Sequence, residues 1–316
     1  MDDMRFRWLI IVISTVIGVL PCAEVGAQRV FRGGPPQPVK LQTKDGVGIS
    51  ITYYPSRLGK EAAPVVMLHD YKDTQGIFST LAQRLNSPGR EEKHPSFAVV
   101  TVDLRGHGGS IKQTAPNGVM REIDAAKINR QDIVGMLADM EAVRSFLVGK
   151  NDAEELNLNK LSLVGIGMGA TVAVNWAAQD WVAPPLTIGK QGQDVKALVL
   201  VSPRWTFRGV PMQRALKVQP LKEHVAWMLI FGEQDTNTAA DVRRKLYRQL
   251  ERFHPEPTSP TGPPRRLALV PLPSALDGSA LLSQAGTQIE DQIIQFLTVH
   301  VAEQDYPWTQ RRNRLQ

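Results

Sequence analysis

Apolar positions along the chain fall into short, nearly unbroken runs separated by polar and glycine-rich segments. The runs are Val65–Leu68, Phe97–Val102, Leu161–Val164, Ala197–Val201, Trp227–Phe231 and Leu267–Val270. Strands with this pattern are buried on both faces, the condition of a parallel sheet covered by helices. Ahead of them, Val39–Thr43 and Gly48–Tyr54 flank Lys44-Asp45-Gly46, a hairpin signal. Between the runs, Asp132–Leu147 places Ile133, Met136, Leu137, Met140, Val143 and Leu147 at helical spacing. Phe78–Leu85, Ala170–Ala178, Asp241–Leu250 and Ile289–Val301 are further helical stretches. Two antiparallel strands followed by strand–helix repeats predict a three-layer α/β domain over residues 39–301, with a mostly parallel sheet and helices on both faces. Residues 254–265 are expected as an irregular loop. The segment Pro203–Glu223 is a minimal lid, with Trp205, Phe207 and Met212 either roofing a pocket or joining the core.

The N-terminus has a different pattern. Arg5 and Arg7 precede an apolar run from Trp8 to Leu20, and Val25-Gly26-Ala27 supplies the small residues of a cleavage site. Residues 1–27 therefore read as a signal peptide, and the protein as exported, periplasmic or secreted. A run of this length is short for a membrane span, which needs about 20 apolar residues, so no stable span is expected after cleavage. Retention of the leader as an anchor is the rival reading. Val19-Leu20-Pro21-Cys22 matches a lipidation signal only loosely, because Pro21 adjoins the cysteine. Residues 28–38, with Arg32-Gly33-Gly34-Pro35-Pro36, read as a flexible lead-in, and residues 302–316 as a basic, solvated tail.

Composition then narrows the chemistry. The 316 residues include 42% hydrophobic and 22% charged residues, which excludes global disorder. The single cysteine leaves with the leader, so the mature chain has neither a disulfide nor a thiol nucleophile. Six histidines are scattered, and no metal or cofactor is expected. The net charge of +6 is spread along the chain, apart from Arg311-Arg312-Asn313-Arg314, and no nucleic-acid role is expected.

In an open α/β sheet, ligands meet the carboxyl ends of the strands. After the first parallel run stands His69-Asp70-Tyr71, and after the second Asp103-Leu104-Arg105-Gly106-His107-Gly108-Gly109-Ser110. After the third stands Gly165-Ile166-Gly167-Met168-Gly169, and after the fifth Gly232-Glu233-Gln234-Asp235. Over residues 39–301 this order resembles the α/β-hydrolase superfamily. Asp103–Ser110 is very close to that family's Asp-x-Arg-Gly-His-Gly-x-Ser turn. His69 matches its His-Gly oxyanion segment, with Asp70 in place of the glycine, and Asp235 matches the triad acid. The glycine-rich segment occupies the place of the Gly-x-Ser-x-Gly nucleophile elbow.

The resemblance implies a nucleophile where Gly167 stands: serine, or in some branches of the family aspartate or cysteine. It also implies a catalytic histidine in the loop after the last strand, which here reads Pro271–Ser279 without one. Asp277, or alternatively Leu276, aligns with the missing base. In a serine hydrolase, loss of the nucleophile or the base lowers turnover by about 10⁶, leaving about 10³–10⁴ over water from binding and the oxyanion hole. The backbone N–H groups of Met168 and Tyr71 are expected to retain such a hole, with His69 and Asp70 beside them as oxyanion-hole and pocket residues. Asp235 and Asp277, as neighbouring carboxylates, are expected to repel, raising one pKa. The same glycines also fit a dinucleotide fingerprint, but the next strand ends at Ser202 without the required acid.

The expectation is an exported, catalytically degenerate member of that superfamily. It would bind a small apolar or ester-like molecule, or a partner, in a former substrate cleft bounded by Tyr71, Gly167, Met168, Asp235 and Asp277. His69 and His107 are expected to hold turns. The alternatives are an active carboxylic-ester hydrolase with a non-standard site, using Ser110, Ser274 or Ser279, and a cell-envelope scaffold.

Overall fold

The apolar runs become the strands of one eight-stranded sheet in the computed structural model, which describes residues 34–88, 94–184, 186, 190–259 and 262–311. The strands are β1 (Gln37–Gln42), β2 (Gly48–Tyr54), β3 (Pro64–Leu68), β4 (Ala98–Asp103), β5 (Leu161–Ile166), β6 (Val195–Val201), β7 (Ala226–Gly232) and β8 (Leu267–Leu272). Their spatial order is β1-β2-β4-β3-β5-β6-β7-β8. The β1–β2 and β2–β4 pairs are antiparallel and the remaining pairs parallel. Every residue of β3 to β7 is buried, as their unbroken apolar sequences require, while the edge strand β1 is largely exposed.

Helices cover both faces. They are α1 (Ser79–Asn86), α2 (Arg130–Asp152), α3 (Met168–Val182), α4 (Gln219–His224), α5 (Thr236–Ala240) and α6 (Gly278–Leu297). Alternation along β3 sorts the core. Val66 and Leu68 join a cluster with Ile133, Met136 and Met140 of α2 and Trp176 of α3. Val65 and Met67 join one with Leu81 and Leu85 of α1 and Ile293 and Leu297 of α6. Each such side chain contributes about 1.5–3 kcal/mol by leaving water. The start of α2 is set by Asn129, whose side chain accepts from the N–H groups of Gln131 and Asp132 while Asp132 returns a bond to the Asn129 N–H. This reciprocal cap is worth about 0.5–2 kcal/mol.

Several boundaries differ from the sequence reading. β1 begins at Gln37, inside the segment expected as lead-in. The last helix starts at Gly278 rather than near Ile289, breaks at Gly286 (φ 52°, ψ −140°), and continues into a π-helical turn, Thr298–Ala302. Two short hairpins, Lys112–Thr114 with Met120–Glu122 and Thr206–Phe207 with Val210–Pro211, carry too little apolar pattern to be seen in sequence.

The chain beyond residue 301, expected as a solvated basic tail, is docked on the domain as far as Arg311. Side-chain amides of Asn151, Asn157 and Asn159 donate to the carbonyls of Thr309, Tyr306 and Pro307. Arg311 is buried and pairs with buried Asp194 at 3.1 Å. A carboxylate in that position requires cations, which Arg144 (2.9 Å) and Arg311 supply. Residues 312–316 and the expected leader lie outside the described residues. No helix of the described residues is long and apolar enough to cross a membrane.

Candidate functional site at the strand-to-helix elbow

The turn from β5 into α3 is held by glycines. A Cβ at Gly169 would overlap the Leu68 carbonyl, and one at Gly165 would overlap the backbone of Ala170. These two glycines let the start of the helix approach the neighbouring strands closely. Between them Gly167 takes φ 47°, ψ −102°, a conformation open to glycine at little cost, and its N–H donates to the Val201 carbonyl at 2.9 Å.

The space that a side chain at position 167 would occupy is filled. A Cβ built there overlaps all three carboxylate atoms of Asp70, which reaches across from the turn after β3. Asp70 Oδ1 accepts hydrogen bonds from the Met168 N–H (2.8 Å) and the Tyr71 N–H (2.7 Å). These are the two groups expected to form an oxyanion hole, and both already donate to a carboxyl oxygen of the protein's own. Burial pushes the Asp70 carboxyl above its ordinary value, and the two N–H bonds and the nearby Arg204 charge oppose that push. A Cβ at Gly278 (φ 56°) would also meet Asp70 Oδ2, and the Gly278 N–H donates to the hydroxyl of buried Ser202, itself at φ 47°.

The surrounding turns are pinned. His69 is fully buried. Its Nδ1–H donates to the Asp70 carbonyl (2.6 Å) and its Nε2 accepts from the Leu104 N–H (3.1 Å), bonds that require this tautomer. Burial lowers its pKa to about 4. His107 packs 4.9 Å from His69 and bonds the Arg105 carbonyl through Nδ1. Asp103 accepts from the Gln75 N–H and side-chain amide and from the Gly109 N–H. Arg105 forks between buried Asp139 (2.6 Å) and Asp45 (2.7 Å). Tyr71 lies against His107, its hydroxyl on the Ala125 carbonyl, with the Arg208 guanidinium 4.4 Å over its ring. Phe207 and Met212 of the expected lid are buried in the core, and Trp205 packs partly against it.

Asp235 caps α5, facing the N–H groups of Asn237 and Thr238. Asp277 pairs with Arg204 at 2.6 Å, both nearly half exposed. Each carboxylate is thus engaged by a different partner. The elbow thus brings together Asp70, Tyr71, Gly167 and Met168, with Asp277 linked to it through its neighbour Gly278 and its partner Arg204. Of the alternative serines, Ser110 donates to the Asp103 carbonyl and Ser274 to the Gln284 side-chain oxygen. Among the described residues no group of three or more metal-ligating side chains is formed.

The sequence placed Asp70 among the oxyanion-hole and pocket residues, at the position of a glycine, but not its carboxyl on the Met168 and Tyr71 N–H groups. The available signal was the pair of changes taken together, a side chain absent at 167 and one gained at 70. Ser202 and Gly278 carried no signal of their own.

A model described as "Alpha/beta hydrolase family" matches residues 65–315. No curated protein matches the chain in sequence. Among solved structures, a dienelactone hydrolase from Anabaena variabilis superposes with TM-score 0.54 at 16% identity, covering 84% of this chain and 99% of that one. The Pyrococcus furiosus esterase Pf2001 gives 0.52 at 16% identity, covering 83% and 90%. An alpha-beta serine hydrolase homologue from Coxiella burnetii gives 0.50 at 15%, covering 83% and 95%. At these identities the likeness is one of fold.

Proposed function

The chain belongs to the alpha/beta hydrolase family, and we propose that within it this protein is catalytically inactive and acts by binding, exported by its leader to the periplasm or beyond the cell. The observation that carries this reading is the Asp70 carboxylate on the Met168 and Tyr71 N–H groups, in the space where a side chain at 167 would stand. Acyl transfer at the elbow needs a nucleophile there and an empty pair of donors for the developing oxyanion. Here the first has no side chain, and the second is occupied by the Asp70 carboxyl, which takes both N–H donors. The neighbours of similar fold include a dienelactone hydrolase and an esterase, so small ester-like molecules are the first ligands to try.

The test is incubation of the purified mature chain with a fluorophosphonate probe and with 4-nitrophenyl acetate and butyrate. The expected outcome is no labelling and no hydrolysis above buffer. Stoichiometric labelling, or turnover that copurifies with the protein, would overturn the proposal. Export is tested separately by sequencing the N-terminus of the protein from the producing cell's envelope and medium, where cleavage after Ala27 is expected.

A further inference from the structure

At the edge of the sheet opposite the elbow, residues ahead of β8 and residues after α6 line a cavity of about 470 Å³. That volume lies inside the range of ligand sites, about 300–1,000 Å³. Two histidines line it, His254 at 3% and His300 at 9% exposure. One ring nitrogen of His254 bonds the Lys222 carbonyl, and its Nε2 has no partner. His300 stands in the π-helical turn Thr298–Ala302, a distortion frequent at functional sites. It packs 4.5 Å from Phe296 and, among the described residues, makes no hydrogen bond. Burial, with the Arg266 charge adding to it, lowers the pKa of each to about 4. Both rings are therefore neutral at pH 7, and each keeps a lone pair.

Cations surround this pair. Arg265 is matched by Glu256. Arg266 makes no ion pair among the described residues, only a bond to the His224 carbonyl at 3.2 Å. Lys222 and Arg252 stand 4.7 and 4.8 Å over the ring of Phe253, in the cavity wall.

We propose that this cavity binds a phosphate monoester with a small, flat organic group, the phosphate held by Arg266 and His300 and the organic group lying against Tyr306 and Phe253. The uncompensated cations select an anion, and the guanidinium of Arg266 matches phosphate oxygens. The imidazoles select which anion. A carboxylate or a phosphate diester only accepts hydrogen bonds and leaves the His300 lone pair without a hydrogen. A monoester, with its second pKa near 6, keeps oxygens for the guanidinium and carries a hydrogen for the imidazole. The half-buried rings of Tyr306 and Phe253 offer the faces on which a flat group stacks. The cavity shares no lining residue with Asp70, Tyr71, Gly167 or Met168, so this proposal stands or falls independently of the inactivity of the elbow.

The experiment is calorimetric titration of phenyl phosphate into the purified protein near pH 6.5. Saturation at one site is expected. Methyl phenyl phosphate, which keeps a charge but has no O–H, benzoate, and inorganic phosphate, which has no ring, should each bind at least tenfold more weakly. Arg266→Gln should weaken phenyl phosphate at least tenfold, and His300→Phe at least fivefold. Arg121→Gln removes an exposed cation elsewhere on the surface and should leave the affinity unchanged. Circular dichroism melts check folding, and if His300→Phe does not fold, the exposed Arg266 decides. Absence of saturation, or undiminished binding by Arg266→Gln, would overturn the proposal. So would equal affinity for the diester, for benzoate or for inorganic phosphate, or an equal loss in Arg121→Gln.

Discussion

Replacing Gly167 with serine restores on paper the residue that the elbow of a serine hydrolase carries, and the structure predicts that this change alone is destructive. The new Cβ would overlap the Asp70 carboxylate, so Asp70 must withdraw and give up its bonds to Met168 and Tyr71. Overpacking of this kind costs about 1–3 kcal/mol. A non-glycine residue at φ 47° adds about 1–2 kcal/mol. Together Gly167→Ser should destabilise the protein by about 2–5 kcal/mol. If Asp70 is first replaced by glycine, the overlap disappears and only the backbone strain remains, about 1–2 kcal/mol. The double-mutant cycle Gly167→Ser with Asp70→Gly should therefore show a favourable coupling of about 1–3 kcal/mol. Equilibrium urea unfolding of the four proteins measures it, and whatever Asp70→Gly does by itself cancels in the cycle. Equal cost of Gly167→Ser in both backgrounds, within about 0.5 kcal/mol, would refute the claim that Asp70 fills the nucleophile's space. The same geometry means that adding Asp277→His to Gly167→Ser cannot rebuild a working site while Asp70 remains.

Two further predictions follow from charges near the elbow. Because the carboxyl of Asp70 is raised above its ordinary value in the folded state, its contribution to stability is fully present below about pH 4 and is lost as pH rises through the folded-state pKa. Asp70→Asn keeps an oxygen for both N–H groups and cannot ionise, so it should be more stable than wild type at pH 7, with the advantage vanishing at acid pH. Urea unfolding across the pH range checks this, and destabilisation by Asp70→Asn at pH 7 would contradict it. Arg105→Ala strands the Asp139 carboxylate in a fully buried site. It should cost about 3–5 kcal/mol, whereas Arg208→Ala, which loses a cation–ring contact and a hydrogen bond to the Ile128 carbonyl at an exposed residue, should cost about 1–2 kcal/mol.

The layered sheet was legible because its cause is local. Strands buried on both faces must be apolar throughout, and Val65–Leu68 or Trp227–Phe231 cannot be satisfied in any other setting. The turn Asp103–Ser110 was legible for a related reason, since its glycines and its Asp103 and Arg105 partners are needed for the backbone to turn at all. Their spacing also fixed where a site would lie, at the carboxyl ends of the strands. Asp235 shows the limit. Its position matched an acid, yet an aspartate preceding a helix equally serves as a cap, and only the fold shows that it faces the N–H groups of Asn237 and Thr238.

Sequence alone established the α/β layers, a glycine at 167 and a loop after the last strand, Pro271–Ser279, without histidine. The three-dimensional structure decided what stands around Gly167. Residues 70, 167 and 278 are far apart in the chain, and only strand order brings the carboxylate of Asp70 onto the first turn of α3 and against Gly278. Likewise Arg311 reads as part of a solvated basic run until the buried carboxylate of Asp194 is found beside it. Periodicity reports which residues leave water, because burial is imposed on each residue by its own element. Which charges meet is set by the packing of different elements, and nothing local in the chain records it.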